Sequence, residues 1–307
     1  MSPDDSDSEM TFVEIFDIKT TEISYTHQKE LFEKTRFKIL NPTMYGQLCY
    51  NEYGDFDLCL SKSWKETYCD VKYQSETEKY NNETKTIDKI KKIKSFYNTW
   101  VKDNHKRSYL KLIFNPDPNY NCPHFFYNIF QGFPYTFKNT ECNIENIKPI
   151  MCHINYRICG NNKDQFEYAI QWLAHVIQKP HIKTRVAFVM RGLPGTGKGL
   201  LVQLMHKIIS SKYFAQPSNP DEVIGKFNGV LEGKTLVFLD ELSWGGNKQA
   251  AGIMKKLITE TELTINKKNI PTYTIKNHIN VFIASNENWC IPAQIAGRRY
   301  FVPDIDS

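Results

Sequence analysis

Three short apolar runs in the C-terminal part of the chain are unbroken by polar positions: RVAFVM at 185–190, TLVFLD at 235–240 and INVFIAS at 279–285. Continuous rather than alternating hydrophobicity predicts strands covered on both faces, as in a parallel sheet. After the first run comes a helical pattern carrying Leu200, Leu201, Leu204, Met205 and Ile208, which makes this part an α/β layer. Upstream, 144–178 reads as helical, with Phe166, Ile170, Leu173 and Ile177 in one stripe and Pro180 closing it. Within 85–111, Ile87, Ile90, Ile93 and Tyr97 fall near helical spacing, with Lys89, Lys91, Lys92 and Lys94 on the other faces. Such a helix either rests on phosphates or shows water an ordinary solvated face. Residues 11–83 are aromatic-rich, irregular and without a motif, and residues 1–10 read as an acidic, disordered tail.

Composition narrows the class. With 307 residues, 41% hydrophobic and 24% charged, the chain is neither wholly disordered nor a collagen-like repeat nor a coiled-coil rod. No run nears the roughly 18 apolar residues of a membrane span, and the mean hydropathy is −0.50, so no membrane partner is expected. The polar, acidic N-terminus is the opposite of a signal or transit peptide, which predicts an intracellular protein. A net charge of +5 is compatible with a nucleic-acid partner without requiring one. The eight cysteines are scattered, and neither Cys122 with His124 nor Cys152 and His153 with Cys159 has paired zinc-ligand spacing. They are expected as free, mostly buried thiols in a reducing compartment.

Chemistry concentrates where the first apolar run ends. Residues 192–199 read GLPGTGKG: Gly192, Leu193, Pro194, Gly195, Thr196, Gly197, Lys198 and Gly199. A G-x-x-x-x-G-K turn between strand and helix is a phosphate loop. Its glycines let backbone N–H groups turn toward phosphate oxygens, the helix N-terminus adds partial positive charge, and Lys198 reaches the outer phosphates of a nucleotide such as ATP. Gly199 stands where a serine or threonine hydroxyl would hold Mg²⁺, so water or an acid must replace that ligand. The second apolar run ends in Asp240 and Glu241; Asp240 is expected on the metal and Glu241 on the attacking water. The third ends in Ser285 and Asn286. Asn286, on a strand lying between the other two, is placed to bond the γ-phosphate or the water. Arg298 and Arg299 follow, one of them either a finger for a neighbouring subunit's nucleotide or a surface ion-pair former. Between the second and third runs, TELTI and TYTI frame a basic turn that includes Lys267 and Lys268.

In order and spacing, GLPGTGKG, VFLDE, the basic hairpin, FIASN and GRR resemble the superfamily 3 helicases. The resemblance is closest to the primase-helicases of phages, virophages and large DNA viruses, including the poxvirus type. It covers roughly residues 95–305 and takes in Trp100, the N-x-F-x-G-F phrase at 128–133 and a helix ending at Gln178, Lys179 and Pro180. Glycine after the loop lysine also occurs in that group.

The resemblance implies an AAA+-like P-loop ATPase with a parallel central sheet, preceded by a mainly helical or mixed N-terminal region. It implies ATP and Mg²⁺ as cofactors, a homo-oligomeric and usually hexameric ring around single-stranded DNA, and Lys267 and Lys268 gripping that strand in the channel. Viral or mobile-element DNA replication follows, with a primase or other replication proteins as partners and the host cytoplasm or a viral replication site as location. The expected organisation is a tail at 1–10, a region of unknown role at 11–94, a helicase-associated region at 95–180 and the ATPase core at 181–307. Residues 11–94 are too short for the primase domain that often precedes such helicases, so a fragment, a split gene and a minimal helicase all stay open. So do two other functions: an ATPase that translocates or packages nucleic acid, and a nucleotide-binding assembly protein with little turnover.

Overall fold

The computed structural model describes residues 23–48, 56–134, 143–219, 221–240, 248–268, 272–286, 298–303 and 305. Contacts divide the chain into two units: the described residues through Ile113 with Cys122–Tyr127, and Phe114–Asn121 with the described residues from Asn128 onward. Residues 95–113, grouped above with the helices that follow, therefore pack with the N-terminal elements.

The first unit starts with α1 (Tyr25–Thr35), capped by Ser24, whose Oγ accepts from His27 N–H at 3.3 Å. There follow β1 (Arg36–Ile39), β2 (Met44–Leu48), β3 (Phe56–Cys59), α2 (Ser61–Thr67), β4 (Lys72–Asn81), β5 (Thr86–Ser95), α3 (Phe96–Lys102) and β6 (Ser108–Tyr109). Next, β7 (Lys111–Ile113) pairs with β8 (Phe126–Asn128). One sheet runs β3-β2-β1-β6. Aromatics from α1, α2, the turn after it and α3 build the core: Phe32 is fully buried, edge-on to Trp64, Tyr68, Phe96 and Trp100 at 5.0–5.4 Å between ring centres. Trp100 Nε1 donates to Glu33 at 2.7 Å, so its polar edge is satisfied too. The motif-free N-terminal stretch thus contributes an aromatic core that no spacing rule marks.

The helix expected within 85–97 is a strand. β4 and β5 form an antiparallel ribbon, in register from Lys72 opposite Ser95 to Asn81 opposite Thr86. Threonine and three isoleucines favour extended backbone, and the i, i+3 spacing that looked helical leaves Ile87 and Ile93 exposed. Helix begins only at Phe96, where Ser95 Oγ caps Asn98 N–H; Tyr97 belongs to that helix and is buried.

The second unit opens with α4 (Ile144–Cys152), a π-helical turn at His153–Ile158 and α5 (Lys163–Gln178). The single helical stretch expected over 144–178 is broken where Gly160 and Asn161 adopt left-handed backbone (φ 54° and 58°) and Asn162 caps a new start. Leu173 is buried as expected, but the deepest stripe of α5 is Ala169, Trp172, Leu173 and Val176; Phe166, Ile170 and Ile177 flank it.

Then come β9 (Ala187–Arg191), α6 (Lys198–Ile209), β10 (Phe214–Ala215), α7 (Asp221–Ile224), β11 (Leu236–Asp240), α8 (Lys248–Thr259), β12 (Glu262–Ile265), β13 (Tyr273–Lys276), β14 (Asn280–Ser285) and β15 (Tyr300–Phe301). All five strands of the order β10-β11-β14-β9-β15 run parallel. Alternate residues feed two cores. Phe188, Met190, Phe238 and Phe282 pack with Trp172, Leu173, Leu201 and Met205, while Val189, Val237, Val281 and Ile283 pack with Met254, Leu257 and Ile258. Cover on both faces is why these strands carry no polar alternation. Leu200, read above as part of the apolar helix face, is instead half exposed.

The phrase at 128–133 joins this unit through Tyr213. Phe130 and Phe133 pack on its ring, and its hydroxyl accepts from Gln131 N–H at 2.8 Å and donates to the Ile129 carbonyl at 3.2 Å. Among the described cysteines only Cys159 is buried. Cys69 and Cys152 are exposed and Cys59 and Cys122 half-buried, contrary to the expectation of mostly buried thiols, while Cys49, Cys142 and Cys290 lie outside the described residues. Among the described residues no helix is long and apolar enough to cross a membrane, and no three His, Cys, Asp or Glu side chains cluster as metal ligands would.

Candidate nucleotide site

Three strand ends define one edge of the parallel sheet. β14 lies between β9 and β11, with Asp240 opposite Ala284 and Ser285 opposite Arg191. The carboxyl ends of parallel strands are where α/β sheets bind ligands. From that edge the chain leaves β9 into residues 192–197, and Gly192 N–H donates to the Ser285 carbonyl at 3.2 Å, tying the loop to the neighbouring strand.

Two glycines make the turn possible. Gly195 (φ 82°) and Gly197 (φ 85°) are left-handed, a conformation that a Cβ makes costly. Gly197 caps α6, and Thr196 Oγ1 closes the loop onto the Leu193 carbonyl at 3.0 Å. Gly192 packs so closely on Ile305 that a Cβ would stand 2.9 Å from it, whereas a Cβ on Gly199 would meet nothing within 4 Å. The helix starts at Lys198, with Pro194 in the turn and Leu193 and Leu200 exposed beside it.

Lys198 brings the edge together. Its Nζ donates to the carbonyls of Gly192 at 2.5 Å and Leu193 at 2.9 Å, and to Asn286 Oδ1 at 3.0 Å. Burial holds this ammonium below the usual lysine range, and the charge of Asp240 pulls it back up. Asp240 itself is exposed at the tip of β11.

Residues expected to act together therefore separate into groups. The loop 192–199, Lys198, Asp240 and Asn286 share one edge; Glu241 lies outside the described residues. Arg298 and Arg299 stand at the opposite edge, because Tyr300 pairs with Ala187, the first residue of β9, and Ala187 N–H donates to the Arg299 carbonyl at 2.8 Å. Neither is placed on the loop of its own chain. The hairpin of β12 and β13 forms as expected, yet its two lysines differ: Lys267 is ion-paired with Glu232, which also accepts from Tyr273 at 2.7 Å, whereas Lys268 is exposed.

One neighbour of the loop was not foreseen. His153, at the start of the π-helical turn, sets Nε2 3.1 Å from the Gly197 carbonyl, and its ring fills the space a Cβ on Gly197 would need, 2.3 Å away. No local pattern signals a contact across 44 positions.

A family of unknown function, DUF5906, matches residues 190–299, a span holding the loop, Asp240 and Asn286. The DNA primase-polymerase of Nitratiruptor phage NrS-1 is 35% identical over 141 residues, which is 45% of this chain and 19% of that protein. The apo structure of the NrS-1 C-terminal region (305–718) superposes with a TM-score of 0.66 at 22% identity, over 91% of this chain and 61% of that one. In fold, the chain resembles the NrS-1 C-terminal region. The A form apo structure of that region gives a TM-score of 0.64 at 23% identity, over 91% and 60% of the two chains. The chain thus spans about a fifth of the length of the NrS-1 primase-polymerase and about three-fifths of the solved C-terminal region.

Proposed function

We propose that this chain is an ATP-driven motor on single-stranded DNA, a superfamily 3 helicase module acting in viral DNA replication. The observation that carries the reading is the 3.0 Å contact of Lys198 Nζ with Asn286 Oδ1, made at the same sheet edge as Asp240. A cation, an amide and a carboxylate converge where a left-handed glycine loop enters a helix, the set that phosphoryl transfer to water requires. Kinship with a phage DNA primase-polymerase supports a replication role.

In this reading, N–H groups of 195–198 take the phosphates, and Lys198 leaves the Gly192 and Leu193 carbonyls to follow the outer phosphate. Asn286 keeps hold of the lysine or turns its amide to the γ-phosphate. Asp240 fits Mg²⁺: its exposed carboxylate is a hard oxygen donor beside the loop, and water would take the place of the hydroxyl that Gly199 lacks. Bound there, Mg²⁺ would neutralise charge on the phosphates. Glu241 would orient the attacking water. Since Arg298 and Arg299 sit at the far edge, either would serve only a neighbouring protomer, which ties turnover to a ring. On the hairpin, Lys268 would meet the DNA strand while Lys267 braces the turn through Glu232.

Gly199 also favours a second reading, a nucleotide-binding assembly protein with little turnover. Phosphate release and strand displacement on forked DNA, with and without ATP, separate the two. The motor reading expects release that DNA stimulates and displacement that needs ATP; binding without release would overturn it.

A further inference from the structure

The basic stretch of β5 is unused by the nucleotide site, and its pairing with β4 sorts its lysines by face. Side chains two apart on a strand share a face. On one face Lys89 lies opposite Glu78 and Lys91 opposite Glu76, the latter 3.9 Å from its partner. On the other, Lys92 lies opposite Ser75 and Lys94 opposite Tyr73, so no carboxylate on β4 answers them. That second face continues into an open groove of about 640 Å³ lined by Lys94, Asn98, Lys102, Tyr25 and Asp103. Asn98 and Lys102 are one helical turn apart on α3. The acid in the groove is already neutralised, since Asp103 accepts from Lys29 at 2.8 Å and from Tyr25 Oη at 2.7 Å.

We infer that this face of the β4–β5 ribbon, running through Lys92, Lys94 and Lys102, is a docking surface for the phosphate backbone of single-stranded DNA. Charge complementarity selects a polyanion, because Lys89 and Lys91 stand opposite glutamates whereas Lys92 and Lys94 stand opposite uncharged residues, and the acid of their own face, Asp88, lies farther along the ribbon opposite Lys79. Lys92 and Lys94 are exposed in one row on β5, with half-buried Ser75 and Thr77 beside them on β4 and Tyr73 buried in the core, which suits one backbone rather than the two of a duplex. The surface is distinct from the hairpin lysine assigned to the motor, and the inference stands whether or not the chain binds ATP.

The test compares two double variants of the full chain with the same loss of charge on the same strand, K92Q/K94Q and K89Q/K91Q. Binding of a fluorescent single-stranded oligonucleotide is measured without nucleotide across a salt series, with a hairpin duplex as a second probe. Removing two phosphate contacts should lower the slope of log affinity against log salt by about 1.4. We expect K92Q/K94Q to show that change and at least a tenfold loss of affinity, with K102Q adding to it and K89Q/K91Q staying within twofold of wild type. Equal losses in both double variants would reduce the effect to net charge and overturn the inference. So would unchanged binding in K92Q/K94Q, or tighter binding to the duplex than to the single strand. Far-ultraviolet dichroism and thermal midpoints confirm that these surface changes leave the fold intact.

Discussion

Lys198 and Asn286 stand 88 positions apart in the chain and meet at 3.0 Å, Nζ to Oδ1, where β9 and β14 end side by side. The amide holds the ammonium over the loop without neutralising it, leaving the positive charge for a phosphate. Asn286→Ala should therefore cut the rate of phosphate release by about a hundredfold, the usual effect of losing one preorganised polar group. KM for ATP should move only a few-fold, because the loop N–H groups and Lys198 remain. Steady-state kinetics check this; an unchanged kcat would remove Asn286 from the chemistry.

The loop glycines should respond in opposite ways. Gly197→Ala puts a Cβ on left-handed backbone and into the His153 ring, and should cost about 1–3 kcal/mol while weakening ATP binding. Gly199→Ser enters open space within α6 and should gain roughly 0.5 kcal/mol from helix propensity. Urea midpoints of the two variants decide it. Destabilisation by Gly199→Ser would mean that something in the protein packs against that position.

On the β12–β13 hairpin, Lys267→Ala should act on stability and Lys268→Ala on DNA. The Lys267–Glu232 pair is about one-third exposed, so its loss should cost no more than about 1 kcal/mol. Lys268→Ala should leave the thermal midpoint unchanged and lower DNA-stimulated phosphate release. The reverse assignment of effects would contradict the division of roles.

Lys183 supplies a pH signature. Burial lowers its ammonium to about 7, the Arg185 charge adds to the shift and Glu260 opposes it, while Nζ donates to the Leu257 carbonyl. The ordinary value is 10.5, so between pH 7 and 10.5 the unfolded chain binds more protons and folding strengthens as pH rises. The contribution is complete above about 10.5, is lost as pH falls toward 7, and is flat below. Wild-type stability should consequently rise from pH 7 to 9 relative to Lys183→Met, which has no titrating group there. Parallel profiles would show that Lys183 titrates normally.

The sheet and the glycine turn at its edge were legible because their causes are local. Runs such as 235–240 and 279–285 are apolar on both faces, and a glycine turn needs its glycines in sequence. The strand β5 was not, because Ile87, Ile90 and Ile93 at spacing of three fit a helix as well as a solvated ribbon, and only pairing with β4 decides between them. His153 and Glu232 were invisible for another reason: each matters through one contact to a distant element, the Gly197 carbonyl and the Lys267 ammonium. The aromatic core around Phe32 likewise draws on residues from α1, β2, α2, β4 and α3, whose assembly no periodicity announces.

Everything assigned to the nucleotide depends on Lys198 taking a phosphate. Equilibrium titration of Mg·ATP into the wild-type chain and Lys198→Ala tests that most directly, because an ammonium bonded to a phosphate contributes about 1.5–3 kcal/mol. The account predicts saturable binding to wild type and roughly a hundredfold weaker binding to the variant. Equal affinity in the two proteins, or no binding to wild type, would contradict it.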